Sequence, residues 1–95
     1  MNTKFNKITE EMNALYVKKN HDYGDSFHDT FKKLGIVSSV TRLYDKMNRL
    51  VSLTSKHEQL VNDESIRDTL IDIANYSVMT IMEIDNQKEK EEWKR

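Results

Sequence analysis

Ninety-five residues make one domain, at the small end of what can bury a self-sufficient core, and a formal net charge of −1 argues against nucleic acid as a bulk electrostatic partner. The chain has no cysteine, which excludes disulfides, zinc–thiolate sites and a cysteine nucleophile. No apolar run approaches the ~20 residues of a membrane span and the N-terminus lacks a signal-peptide core, so the expectation is a soluble, cytoplasmic protein with no membrane partner.

There is no proline, there are two glycines, and a third of the residues are charged, with Met, Leu, Ile, Lys and Glu recurring at helical spacing. The expected fold is all-α: an antiparallel bundle of three main helices plus a short one, forming a single helical domain over residues 1–95. A hydrophobic content of 37% is modest for helices that must each cover a wide apolar face. A homo-oligomer, a dimer or a tetramer through the last two long helices, would supply the missing burial.

The first helix is predicted from Thr3 to Asn20, with Asn2 or Thr3 as its cap and Phe5, Ile8, Met12 and Leu15 as its apolar stripe. Asn20 to Phe27 reads as a loop, because Asn, Asp, Gly and Ser cluster there. Ser26 or Asp25 would cap a short helix through Lys33 that turns Phe27 and Phe31 inward, and Gly35 would end it in a left-handed conformation. The next helix spans Val37 to Ser55, with Val40, Leu43, Met47 and Leu50 as its core stripe and Ile36 at the leading edge. Lys56 to Asp63 is a polar connection in which His57 is plain surface and Asn62 or Asp63 is an N-cap. The last helix begins near Glu64 and continues to about Lys90, and the charged tail Asn86–Arg95 frays, leaving Trp93 as a docking contact or a disordered remnant.

On that last helix Ile66, Leu70, Ile73, Ala74, Ser77 and Ile81 share one face at ~100° per residue. Asp68, Asp72 and Asn75 line the opposite face, joined by Met79. Two acids one turn apart repel each other, so something should offset the charge. A divalent cation with oxygen ligands, Mg²⁺ or Mn²⁺, is one candidate. Solvation, or pairing with Arg42, Lys46 or Arg49 across the bundle, is the other. Ile71, Val78, Met79 and Met82 extend the apolar character around this helix, as for an element covered on two sides.

Arg42, Lys46 and Arg49 form a basic stripe that suits phosphate oxygens, though Asp45 can pair with both arginines within the helix. The segment His21–Asp25, with His28 and Asp29 beyond it, fits no metal-ligand spacing and is more simply a turn. Within it, Tyr23 beside Gly24 offers an aromatic to cover a base and a backbone that a ligand can approach. There is no Gly-x-Ser-x-Gly, no phosphate-binding Walker loop and no dinucleotide fingerprint.

Lys19-Asn-His-Asp-Tyr-Gly24, Gly35, Arg42-Leu-Tyr-Asp-Lys46 with Arg49, Glu64-Ser, and Asp68-Thr-Leu-Ile-Asp-Ile-Ala-Asn-Tyr76 occur in that order. This succession, from Lys19 to Val78, resembles the small phage and bacterial family called nucleotide modification associated domain, first type. A wider resemblance is to the all-α, Mg²⁺-dependent, oligomeric nucleoside triphosphate pyrophosphohydrolases of the MazG and dimeric dUTPase kind. The chain departs from their Glu-x-x-Glu and Glu-x-x-Asp signature. Asp45 stands alone on its helix, Asp68 and Asp72 are four apart, and Glu10 and Glu11 are adjacent on another helix.

The resemblance implies a role in nucleotide metabolism, as a (d)NTP pyrophosphohydrolase or as a non-catalytic nucleotide- or protein-binding module. It implies Mg²⁺ on Asp68 and Asp72 with Glu64 or Asp45, and phosphates on Lys19, Arg42, Lys46 and Arg49. It also implies that Asp22, Tyr23, Asn75 and Tyr76 read the base or sugar.

Overall fold

The computed structural model describes residues 3–23, 25–55 and 63–93, with backbone alone for residues 23, 63, 64, 92 and 93. Those residues form four helices and, among them, no strand: α1 (Lys4–Tyr23), α2 (Ser26–Leu34), α3 (Ile36–Ser55) and α4 (Asp63–Trp93). The all-α bundle is what the composition predicts. α3 and α4 form its principal pair, α2 packs on α3, and α1 lies against α4.

Thr3 caps α1 as expected, its Oγ1 accepting the Asn6 N–H at 3.1 Å. α1 does not stop at Asn20 but runs through His21 and Asp22 to Tyr23. The predicted loop is therefore mostly helix. Asn and Asp are poor helix residues, but each costs only up to ~0.7 kcal/mol relative to Ala, too little to break a helix, and His21 in the last turn suits the negative end of the helix dipole. Tyr23–Gly24 as a ligand-covering pair, the Lys56–Asn62 connection with His57, the cap at Asn62 or Asp63, and the Trp93 side chain lie outside the described residues.

α2 follows at once. Asp25 occupies its N-cap position without a side-chain cap bond, and only its carbonyl is used, accepting the Asp29 N–H at 3.0 Å. Phe27 and Phe31 are buried, as their i,i+4 spacing predicts. Gly35 ends the helix at φ 77° and ψ −166°, donating its N–H to the Phe31 carbonyl at 2.7 Å. The φ is positive, as expected, but the ψ is extended instead of left-handed helical, a region open essentially to glycine alone. That conformation lets α3 begin on the next residue, where the Gly35 carbonyl accepts both the Ser38 N–H and the Ser38 hydroxyl.

The helical faces are rotated from the expected ones. On α3 the predicted core residues Val40 and Met47 are exposed, while Ser39 is fully buried and Leu43, Lys46, Leu50 and Leu53 are half-buried. On α4 Leu70 and Ile81 are exposed, and Thr69, Ile71, Thr80 and Glu83 are buried. Phe5 and Ile8 of α1 are exposed as well. α4 also continues past the expected end near Lys90 to Trp93. Both long helices are apolar over more than half their circumference. Periodicity therefore marks them as helices without choosing which side meets the neighbour.

Candidate functional site

A pocket of about 280 Å³ opens where α1, α2, α3 and α4 converge. α1 contributes Tyr16, Lys19 and Asn20, which sit on one side of a helix at spacings of three and four. α2 contributes Ser26 and Phe27 from its first turn, and α3 contributes Arg42. α4 supplies Asp72, Asn75, Tyr76 and Met79, the acidic stripe and its continuation.

The aromatic wall is built by stacking. The Phe27 and Tyr76 rings lie 5.9 Å apart, centroid to centroid, at 15°. The Arg42 guanidinium sits over both rings, 5.3 Å from the Phe27 centroid and 5.9 Å from that of Tyr76. Such contacts contribute ~0.5–1 kcal/mol each at partly exposed sites, and they hold at the pocket edge a cation that makes no ion pair among the described residues.

The opposite wall is an ionic relay. Asp72 Oδ1 accepts from Lys19 Nζ at 3.2 Å and Oδ2 from Lys46 Nζ at 3.1 Å. One carboxylate thus joins α1, α3 and α4. Lys19, Lys46 and Arg42 against Asp72 leave an excess of two positive charges around the pocket, which favours an anionic ligand. Asn75 lines the same space and donates Nδ2–H to the Met12 carbonyl at 3.1 Å, tying α4 to α1.

Of the residues singled out from sequence, Lys19, Arg42, Asp72, Asn75 and Tyr76 line the pocket, and Lys46 reaches its Asp72. Arg49, Asp22, Asp45 and Asp68 are exposed and do not line it. The side chains of Tyr23 and Glu64 lie outside the described ones. The residue pattern missed Tyr16, Asn20 and the stacking role of Phe27. Tyr16 and Asn20 at i,i+4 around Lys19 were the available signal.

It also missed His28 with Glu83. Glu83 is buried, and its two carboxylate oxygens lie 2.6 and 2.9 Å from His28 Nδ1. The pair borders a second cavity of about 190 Å³ that shares Tyr16, Asn20, Phe27 and Met79 with the first. No sequence pattern links residues so far apart on helices of different phase.

The described acids do not fit a Mg²⁺ site in this arrangement. Both Asp72 oxygens are engaged by ammonium groups, and Asp68 and Asp45 are exposed on different helices. Among the described residues no three His, Asp or Glu side chains gather around one point. Mg²⁺ needs near-octahedral oxygen donors, usually including one or two carboxylates free to approach it.

No helix of the described residues is long and apolar enough to cross a membrane. No curated protein and no solved structure matches the chain. A family model does match, over residues 19–84, a span that opens on Lys19 and closes one residue past Glu83, so that it takes in most of the pocket. That match covers well over half of the sequence: the chain belongs to the nucleotide modification associated domain 1 family.

Proposed function

We propose that the protein binds a nucleotide in the pocket where α1, α2, α3 and α4 converge. The observation that supports this best is the Arg42 guanidinium laid over the Phe27–Tyr76 stack, next to the Lys19–Asp72–Lys46 relay. Such a pocket offers ring faces for a base and cations for phosphate in one small space. Tyr76 and Tyr16 would cover the base, and Lys19, Lys46 and Arg42 would meet the phosphates. A cytoplasmic protein would find nucleotides in the surrounding pool.

Calorimetric titration with nucleosides, (d)NMPs and (d)NTPs tests the proposal. Stacking of a base on an aromatic is worth ~1–3 kcal/mol, so Tyr76→Ala should weaken binding by about 10- to 100-fold. Lys19→Met should weaken nucleotides far more than nucleosides. Absence of saturable binding to any of these, with and without Mg²⁺, would end the proposal.

Mg²⁺-dependent release of pyrophosphate from a (d)NTP is the second reading, favoured by the Asp72 carboxylate lining the pocket, with Asp68 one turn before it exposed outside that lining. It requires Asp72 to leave its two lysines and to gain further oxygen donors, with Glu64 and Asp45 as the candidates. Pyrophosphate released with Mg²⁺ and lost in Asp68→Asn would support it. Binding without turnover would leave a nucleotide-binding module.

A further inference from the structure

The least accounted-for surface is the outer side of α3. Val37, Val40, Tyr44, Met47 and Val51 follow one another at spacings of three, four, three and four, and each is between 48 and 67 per cent exposed. The run from Val37 to Val51 is ~21 Å long at 1.5 Å per residue. Alternating three- and four-residue spacing is the repeat that lets one helix seat its side chains in the gaps of another.

Charge makes the face more telling. Thr41, Asn48, Ser52 and Thr54 flank the seam, so a sector of ~160° around Tyr44, at 100° per residue, holds no charged side chain. The four charged residues of α3, Arg42, Asp45, Lys46 and Arg49, all fall outside it. In a chain that is 33% charged, a solvated helix face would carry some of that charge. Burial elsewhere is also scant. Among the described residues only Phe27, Phe31 and Ile71 are buried hydrophobics.

We infer that this face of α3 is the centre of a homodimer interface in which it packs against α3 of a second copy. A partner helix must have the same repeat, a similar length and no charge to leave unpaired in the seam. α3 itself meets all three requirements, and a copy is always present in equal amount. Two-fold symmetry brings Tyr44 against its counterpart, because it is the midpoint of the seam. Arg42 and Lys46 lie ~160° around the helix from Tyr44, so the dimer leaves the pocket open and clamps α3 from behind it. The inference does not depend on what the pocket binds.

Sedimentation velocity of the full chain, with Tyr44→Glu and the exposed α4 variant Leu70→Glu, tests it. The expected result is a wild-type dimer, a dissociation constant raised at least about 100-fold by Tyr44→Glu, and no change with Leu70→Glu. Since Tyr44→Glu risks losing the fold, a second arm uses the absence of cysteine from the chain. Tyr44→Cys should be joined between copies by a short bismaleimide, and Asn13→Cys on the exposed side of α1 should not. A monomeric wild type would overturn the inference and assign the face to a helix of another protein. So would a dimer that dissociates with Leu70→Glu and survives Tyr44→Glu, or a chain that is joined at Asn13→Cys and not at Tyr44→Cys.

Discussion

Replacing Asp72 with asparagine keeps the shape of the ionic relay and removes its only negative charge. The carboxylate accepts from Lys19 at 3.2 Å and from Lys46 at 3.1 Å, with side-chain exposures of 21% for Asp72, 52% for Lys19 and 30% for Lys46. Two unit charges at that distance attract by ~1.3 kcal/mol in bulk water and more where water is partly excluded. Exposure and side-chain entropy reduce this, to ~0.3–0.5 kcal/mol for the Lys19 pair and ~0.5–1 kcal/mol for the better covered Lys46 pair. Asp72→Asn should therefore cost ~1–1.5 kcal/mol, or about 5–10 °C of thermal midpoint in a domain of this size.

The assay is thermal denaturation by circular dichroism at fixed protein concentration, in low and high salt. Because the Debye length falls to ~3 Å at 1 M salt, the gap between wild type and variant should shrink by at least half. An unchanged midpoint, or a gap that ignores salt, would refute the account of Asp72 as the anchor of two lysines. So would Mg²⁺ raising the wild-type midpoint but not that of Asp72→Asn, since Asp72 would then be a cation ligand.

Other substitutions probe the packing around the site. Ser39 is fully buried and its hydroxyl has no hydrogen-bond partner among the described residues, so Ser39→Ala should stabilise by ~0.5–1 kcal/mol in urea denaturation. Ser39→Leu should cost ~1–3 kcal/mol through overpacking, and a loss of stability in Ser39→Ala would contradict this reading. His28→Ala leaves the buried Glu83 without its imidazole and should cost ~1–3 kcal/mol, part of which His28→Ala/Glu83→Leu recovers; a neutral single variant would refute it.

The Arg67 hydrogen bonds to both Glu11 oxygens, at 3.0 and 2.6 Å, hold the Glu11 carboxyl below its usual range. A depressed folded value means the pair stabilises fully above the unfolded value of ~4.3 and stops doing so as pH falls through the lower folded one. The midpoint difference between wild type and Glu11→Gln should accordingly be full near neutral pH and close as pH falls below ~4.3 and through the lower folded value, and a difference that grows on acidification would reverse the argument.

Much of this protein was legible in its sequence. Helical spacing with few breakers specified four helices and no strand among the described residues, and Gly35 marked the corner between α2 and α3. Phe27 and Phe31 turn inward because they stand one turn apart on the same side of the nine-residue α2, whose third large apolar side chain, Leu34 at its end, is left exposed. Lys19, Arg42, Asp72, Asn75 and Tyr76, singled out by residue type and spacing, line one pocket, and Lys46 reaches its Asp72.

What tertiary structure alone decided was rotation and pairing. Spacing fixes the angle between residues of one helix, but the angle of the whole helix about its axis is set by its neighbours. A helix apolar over most of its circumference can satisfy them in more than one way. So α3 buried Ser39, turned Lys46 to Asp72 of α4 and left Val40 and Met47 outside. The same rotation brought Lys46 to Asp72, and helix packing brought Lys19 to the other oxygen. Of the acidic stripe, Asp72 came to the pocket between two lysines, and Asp68 stayed exposed.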